Sequence, residues 1–153
     1  MKGEQGNDSQ LALDNQLCFL LYACSRSVIK AYKPLLDPLG LTYPQYLVML
    51  VLWEWHDEAP QLPTVKALGS RLRLDSGTLT PLLKRLQQLG LIGRQRASND
   101  ERQVHLELTR EGVAMRDRAR HIPQQLACET GADLNELVSL RTRLNTLLQQ
   151  LES

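Results

Sequence analysis

The sequence predicts a mainly α-helical fold with a small β-wing, arranged as a winged helix-turn-helix. Apolar residues recur at the three- and four-residue spacing of amphipathic helices through most of the 153 residues. Residues 64–90 divide into two short amphipathic segments joined by a tight turn, which is the helix-turn-helix pattern. Directly after Gly90 the apolar period changes to two, which indicates a pair of strands. A β-hairpin in that position is a wing.

The elements at the start of the chain follow from helical periodicity and from prolines. Residues 1–10 are polar, and we predict that they are disordered. A helix is predicted from Leu11 to about residue 33, where the Lys33-Pro34 step should end it. The next helix covers QYLVMLVLWEW and is apolar nearly all round, so we expect it to be central.

The winged helix-turn-helix is placed at residues 44–109, with the wing at residues 91–109. Thr64 is a suitable N-cap for the first of the two short helices, and either Asp75 or Ser76 suits the second. The strands LIGRQR and QVHLELT then flank the polar turn ASNDER.

Two more helices are predicted after the wing. Thr109 should cap one that runs to about Ile122, and residues 124–133 are predicted to be a break. Leucines of the last helix recur at spacings of three and four, which is a coiled-coil seam rather than a broad core stripe. Such a seam suggests a partner helix, most simply from a second copy, although packing within its own chain stays open. The seam leucines are Leu137, Leu140, Leu144, Leu147 and Leu151.

Composition restricts the class of protein. The chain is long enough for one domain with a real core, and 42% hydrophobic and 23% charged residues are typical of a globular protein. No apolar run reaches the roughly 18 residues of a membrane span, and the first ten residues lack the apolar core of a signal peptide. We therefore expect a cytoplasmic protein with reduced thiols and no membrane partner. The three scattered histidines and the lack of a phosphate-binding glycine loop predict no metal and no cofactor.

Charge is concentrated in the middle of the chain. Residues 66–102 carry 8 basic and 3 acidic side chains, whereas residues 1–65 have a net charge of −3 and residues 103–153 of −1. This asymmetry is expected of a nucleic-acid-binding segment, although an ordinary solvated basic face stays open. The side chains expected to face DNA, on the second short helix and on the wing, are Ser76, Thr78, Thr80, Lys84, Arg85, Arg94, Arg96, Asp100 and Arg102.

The run LDSGTLTPLLKRLQQLGLIGRQRASNDERQVHLELTREG resembles the winged helix-turn-helix of the MarR family. The resemblance extends over nearly the whole chain and implies a single MarR-type domain at residues 11–153. Members of that family are homodimers that bind palindromic, double-stranded operator DNA and mostly repress transcription. The resemblance also implies that residues 11–33 and 110–153 are dimerisation helices.

The opening helix carries two cysteines on different faces. Cys24 lies on the apolar stripe that includes Leu20 and Val28, so we interpret it as packing material. Cys18 lies off that stripe, one turn before Tyr22. The two thiols are about 9 Å apart along a continuous helix, which is too far for a disulfide. Since all four tyrosines lie between residues 22 and 46, hydroxyl donors are available to a Cys18 thiolate, but an inert, packed cysteine is also compatible.

The segments NQLCFLLYACSR, KAY and LGLTYPQYLVMLVLWE are similar to the organic-hydroperoxide-sensing branch of the MarR family (OhrR). That resemblance implies that Cys18 is the reactive cysteine and that Tyr22, Tyr32 and Tyr43 stabilise its thiolate, the last two from the other subunit. It also implies that Cys128 is the resolving cysteine of an intersubunit disulfide. Tyr46 is outside this set and is expected in the core.

The resulting hypothesis is a redox-sensing repressor, not an enzyme. The reduced homodimer binds its operator, and an organic hydroperoxide oxidises Cys18, which then forms a disulfide with Cys128 of the partner. Three alternatives stay open: a MarR-type repressor released by a small phenolic ligand with inert cysteines, a thiol peroxidase, and a purely structural dimer module.

Overall fold

The computed structural model describes residues 9–58, 63–96 and 102–153. Seven α-helices and one two-stranded sheet are found in these ranges. The helices are α1 Leu17–Leu36, α2 Tyr43–Glu58, α3 Val65–Leu72, α4 Ser76–Gln88, α5 Arg110–Ala119, α6 Ile122–Thr130 and α7 Leu134–Glu152, and the strands are β1 Ile92–Arg96 and β2 Val104–Leu108. This is the predicted helix order with a wing, and the predicted fold class is confirmed.

The first helix is shifted along the chain relative to the prediction. Residues 9–15 form short 3-10 turns, and α1 starts only at Leu17. The side-chain amide of Gln16 donates to the carbonyls of Gln10 and Ala12, so it competes with the α-helical pattern there. The expected end at Lys33-Pro34 is wrong, because α1 continues to Leu36. Pro34 lies in the last turn, where it removes only one backbone hydrogen bond.

Helix α2 lies at the centre of the molecule, as predicted. Its residues Tyr46, Met49 and Trp53 are buried in a cluster that also contains residues from α1, α3, α4 and the wing. Tyr46 is thus a core residue, in agreement with the sequence. Most of its length is buried, but one strip that includes Leu50 and Glu54 is exposed, so the helix is central without being covered all round.

The helix-turn-helix is formed by α3 and α4 with the expected caps. The hydroxyl of Thr64 accepts a hydrogen bond from the N–H of Ala67 at 3.0 Å, and the carboxylate of Asp75 accepts one from Thr78 at 2.7 Å. Both predicted caps are confirmed, with Asp75 rather than Ser76 at the second. Arg73 turns the chain between the helices in the left-handed conformation, with φ of 55°.

The wing follows Gly90, whose φ of 76° closes α4. Strands β1 and β2 are antiparallel, with Ile92 opposite Leu108 and Arg96 opposite Val104. Ile92 and Leu106 are buried, so the base of the wing belongs to the core.

The C-terminal helices contain the largest correction. Residues 124–133 were predicted to be a break, but most of them lie in α6, Ile122–Thr130. The break occurs instead between α5 and α6, just before Pro123, because proline is tolerated in the first turn of a helix. Gly131, with φ of 68°, ends α6. Cys128 is therefore a helical residue, not a loop residue.

No single helix in the described ranges is long and apolar enough to cross a membrane by itself. One bent pair, Leu17–Leu39 with Tyr43–Glu58, meets that test by length and composition only.

Candidate DNA-binding surface and thiol sites

The solvent face of α4 presents all five side chains that the sequence assigned to it. Ser76, Thr78, Thr80, Lys84 and Arg85 are exposed. Hydrogen bonds from Thr78 to the capping carboxylate keep the pKa of Asp75 below its usual value, so the cap is ionised near neutral pH. The N-terminus of α4 is thereby fixed while its polar residues stay accessible.

The wing carries Arg94 and Arg96 as exposed residues on β1. The Arg94 guanidinium donates from Nε to Oε1 of Gln87 at 2.9 Å, which braces the wing against α4. Arg102 is exposed just before β2, whereas Asp100 lies outside the described residues. The assignment of Asp100 to the DNA-facing set stays a prediction.

A groove of about 670 Å³ separates the helix-turn-helix from the wing. Its lining includes Lys66 and Arg73, two cations that the sequence reasoning did not assign to the DNA-binding surface, together with Ser76 and Arg102. Arg73 also forms a 2.6 Å ion pair with Glu152 at the end of α7. Both residues lie in the basic segment 66–102, and the charge of that segment could have identified them.

The three cysteines, Cys18, Cys24 and Cys128, are free and exposed in the single chain. Cys24 is exposed in the single chain, so the described residues of that chain do not pack it as the sequence predicted. Leu17 is 58% exposed and Leu20 is 50% exposed on the same helix. Tyr22, one turn after Cys18, is also exposed and lies under the guanidinium of Arg26, 5.4 Å from the ring centroid.

Three tyrosines form a cluster near the C-terminal end of α1. The Tyr32 ring centroid lies 4.9 Å from that of Tyr43 and 5.6 Å from that of Tyr46. Burial raises the pKa of all three phenols, to about 12 for Tyr46, and the neighbouring rings add to the effect at Tyr32 and Tyr46. All three hydroxyls therefore keep their protons at neutral pH and can act as hydrogen-bond donors.

Within one chain the predicted redox residues are far apart. Cys128 lines a cavity of about 520 Å³ together with Leu35. Cys18 lies seventeen residues before Leu35 on the same helix, which is about 25 Å of helical rise. Tyr32 is likewise about 21 Å along α1 from Cys18. A single chain therefore brings only Tyr22 close to Cys18.

Known relatives match most of the chain. A family model described as transcriptional regulator SarA/Rot matches residues 30–118, more than half of the chain. The organic hydroperoxide resistance transcriptional regulator of Bacillus subtilis (strain 168) is 52% identical over 144 residues, which cover 92% of this chain and 95% of that protein.

Solved structures share the fold. AbfR is a protein of Staphylococcus epidermidis. The structure of reduced AbfR bound to DNA has a TM-score of 0.74 and 36% identity, and the match covers 95% of this chain and 99% of the AbfR chain. Disulfide-formed AbfR has a TM-score of 0.62 at 37% identity, covering 95% of this chain and 93% of its own. A mutant MarR from E. coli has a TM-score of 0.65 at 26% identity, covering 87% and 96%.

Chain topology, the exposed polar face of α4 and a matching family model over more than half of the chain agree with one another. The relative of 52% identity covers nearly the whole sequence. The chain belongs to the MarR family of winged-helix transcriptional regulators, as an OhrR-like member.

Proposed function

We propose that the protein is a thiol-based repressor: a reduced homodimer that binds operator DNA and is released when an organic hydroperoxide oxidises Cys18. A disulfide between Cys18 and Cys128 of the partner then stabilises the released state. The observation that carries this proposal is the placement of Cys128 beside Leu35, which lies about 25 Å of helical rise from Cys18 on α1, because this placement favours pairing between subunits over pairing within one chain.

A second copy of the chain is supported by two uncovered apolar faces. Helix α1 exposes Leu17 and Leu20, and α7 exposes Leu140, Leu144 and Leu151. All of α7 is at least partly exposed in the single chain. Contiguous apolar faces of this kind mark interaction surfaces, and the leucine seam of α7 suits another helix.

The dimer also supplies the missing hydrogen-bond donors. Tyr32 and Tyr43 cannot reach Cys18 of their own chain, so they serve the thiolate of the partner subunit in this proposal. A phenol is protonated at neutral pH and burial raises the pKa of both residues further, so each can donate a hydrogen bond to a thiolate. Tyr22 adds a donor from the same helix as Cys18.

The proposed oxidation has two steps. The Cys18 thiolate attacks the hydroperoxide, the O–O bond breaks, and an alcohol leaves as Cys18 becomes a sulfenic acid. The Cys128 thiol of the partner then attacks the sulfenic sulfur and forms the disulfide with release of water. A thiol reductant reverses the switch by exchange.

The described conformation is more similar to DNA-bound AbfR than to disulfide-formed AbfR. The TM-score is 0.74 to reduced, DNA-bound AbfR and 0.62 to disulfide-formed AbfR, at nearly equal identity and coverage. In our proposal the disulfide moves α1 against α6 of the partner. Because the winged head is connected to both helices, its spacing from the second head changes and operator affinity falls.

Operator binding with and without peroxide tests the proposal. The DNA is a duplex selected from a random-sequence pool by the reduced wild type, and binding is followed by fluorescence anisotropy with cumene hydroperoxide as oxidant. We expect the wild type and the control Cys24→Ser to be released and Cys18→Ser to stay bound. Release of Cys18→Ser by peroxide would contradict the assignment of the sensor.

The resolving thiol has its own readout on non-reducing gels. Peroxide should produce a covalent dimer of the wild type and of Cys24→Ser, but not of Cys128→Ser. If the covalent dimer persists in Cys128→Ser and disappears in Cys24→Ser, Cys24 is the resolving residue instead.

One observation favours the alternative of a repressor released by a small phenolic ligand. A cavity of about 380 Å³ lies between α2 and the C-terminal helices, with Tyr46, Leu50 and Trp53 among its lining residues. Under this alternative a phenol such as salicylate should release Cys18→Ser and the wild type equally. Peroxide should then release neither.

A further inference from the structure

Thr109 joins three elements at the base of the wing. Its hydroxyl donates to the carbonyl of Gly90 at 2.6 Å and accepts from the N–H of Gly112 at 3.1 Å. Its backbone N–H donates to the carbonyl of Leu91 at 3.0 Å. One residue therefore connects the end of the recognition helix α4, the start of the wing and the first turn of α5.

Gly112 allows α5 to approach the wing closely. A β-carbon at this position would lie 2.1 Å from the carbonyl oxygen of Leu91 and 3.2 Å from a methyl of Leu108. The carbonyl oxygen belongs to the backbone and cannot rotate away as a flexible side chain would. Any residue other than glycine at this position would therefore displace the wing.

Trp53 closes the junction from the core. Its indole N–H donates to the carbonyl of Gly112 at 2.9 Å, and the side chain is buried. The bond crosses from the central helix α2 to the first turn of α5. Because the donor and the acceptor are both inside the protein, removing the N–H leaves a buried carbonyl without that partner.

We propose that Thr109, Gly112 and Trp53 are positioning residues that set the angle of the wing relative to the recognition helix, and so determine how tightly the wing binds the operator. Both strands leave from this junction, since Leu91 precedes β1 and Leu108 ends β2. The inference rests on the proposed DNA-binding function. It assigns a purpose to Thr109, which the local sequence pattern explained only as a helix start, and to Gly112, which that pattern did not explain.

The test compares two substitutions at one position: valine has the size of threonine without the hydroxyl, and serine keeps the hydroxyl without the methyl. Thr109→Val removes the hydroxyl, whereas Thr109→Ser keeps it as donor and acceptor. We expect Thr109→Val to bind the selected duplex about 10-fold more weakly, with the salt dependence of binding reduced by about one phosphate contact per wing. The affinity of Thr109→Ser for the duplex should stay within about 2-fold of that of the wild type, because serine retains both hydrogen bonds of the hydroxyl.

Two further variants separate positioning from general damage. Trp53→Phe removes the indole donor and part of the buried ring, and it should weaken binding in the same direction as Thr109→Val. In an Arg102→Ala background, Thr109→Val should change the affinity for DNA by less than about 2-fold. Arg102→Ala has already removed the predicted contact of the wing with DNA, so moving the wing has little further effect. Affinities are normalised to the active fraction measured by stoichiometric titration, so partial unfolding does not imitate weaker binding. If Thr109→Val does not fold, the affinity loss of Trp53→Phe is compared with and without Arg102→Ala, and this decides whether the junction positions the wing.

The outcomes distinguish this inference from the function on which it rests. If the wild type selects and binds a duplex but Thr109→Val and Trp53→Phe bind it equally well with the same salt dependence, the junction does not position the wing. A full 10-fold loss that persists in the Arg102→Ala background leads to the same conclusion. Failure of the reduced wild type to bind any selected DNA overturns the DNA-binding proposal, and the positioning inference with it.

Discussion

The leucine seam of α7 offers the sharpest test of the dimer on which the redox proposal depends. The perturbation is the double substitution of Leu140 and Leu144 by serine. These side chains are 54% and 38% exposed in the single chain, so together they leave about one leucine side chain uncovered. Complete burial of a leucine contributes about 2 kcal/mol, and both subunits contribute, so the dimer should lose about 4 kcal/mol. That corresponds to an increase of about 10³ in the dimer Kd.

Sedimentation equilibrium over a range of protein concentrations measures this Kd directly. The matched control replaces Asn145 and Gln149 by serine, since both are exposed on the same helix away from the seam. The seam variant should also fail to form the peroxide-induced disulfide, because Cys128 lies beside Leu35, about 25 Å of helical rise from Cys18 of the same chain. An unchanged dimer Kd in the seam variant would refute the argument that this face binds a second copy.

Three stability predictions follow from buried or capping groups. The pKa of Tyr46 is raised to about 12 in the folded protein from 10.0, so its contribution to stability is complete below pH 10 and is lost as pH rises toward 12. Urea titrations should therefore give a lower free energy of unfolding at pH 11.5 than at pH 9, and the difference should be smaller in Tyr46→Phe. Gly112→Ala should lower the free energy of unfolding by about 2 kcal/mol, since the new methyl overlaps the carbonyl of Leu91, and an unchanged urea midpoint would disprove the close contact. Thr64→Ala should cost about 1 kcal/mol through the lost cap to Ala67, measured in the same way with Thr64→Ser as the control that retains it.

The elements that the sequence predicted correctly depend on interactions between near neighbours. Thr64 and Asp75 cap helices through hydrogen bonds that span three residues, and Gly90 ends α4 through its own backbone angle. The period of two in the wing directly predicts which residues face the core. Short-range chemistry of this kind is visible in the order of residues.

The errors arose where two local signals competed. Pro123 and Gly131 both indicated an interruption, and the sequence alone did not show that the proline begins a helix while the glycine ends it. At the first helix, Pro34 was interpreted as a terminator although it lies in the last turn. In both places the prediction had the correct signal and the wrong boundary.

By itself the sequence predicted the winged helix-turn-helix, the basic segment 66–102 and the different helix faces of Cys18 and Cys24, because each follows from the order of residues along one segment. Only the tertiary structure decided that Cys24 is uncovered in a single chain, that Tyr32 and Tyr43 lie at the far end of α1 from Cys18, and that Cys128 lies beside Leu35. The physical reason is that such separations depend on the path of the whole chain. Because Cys18 and Leu35 lie about 25 Å of helical rise apart on α1, the proposed pairing of Cys18 with Cys128 is a question about two subunits.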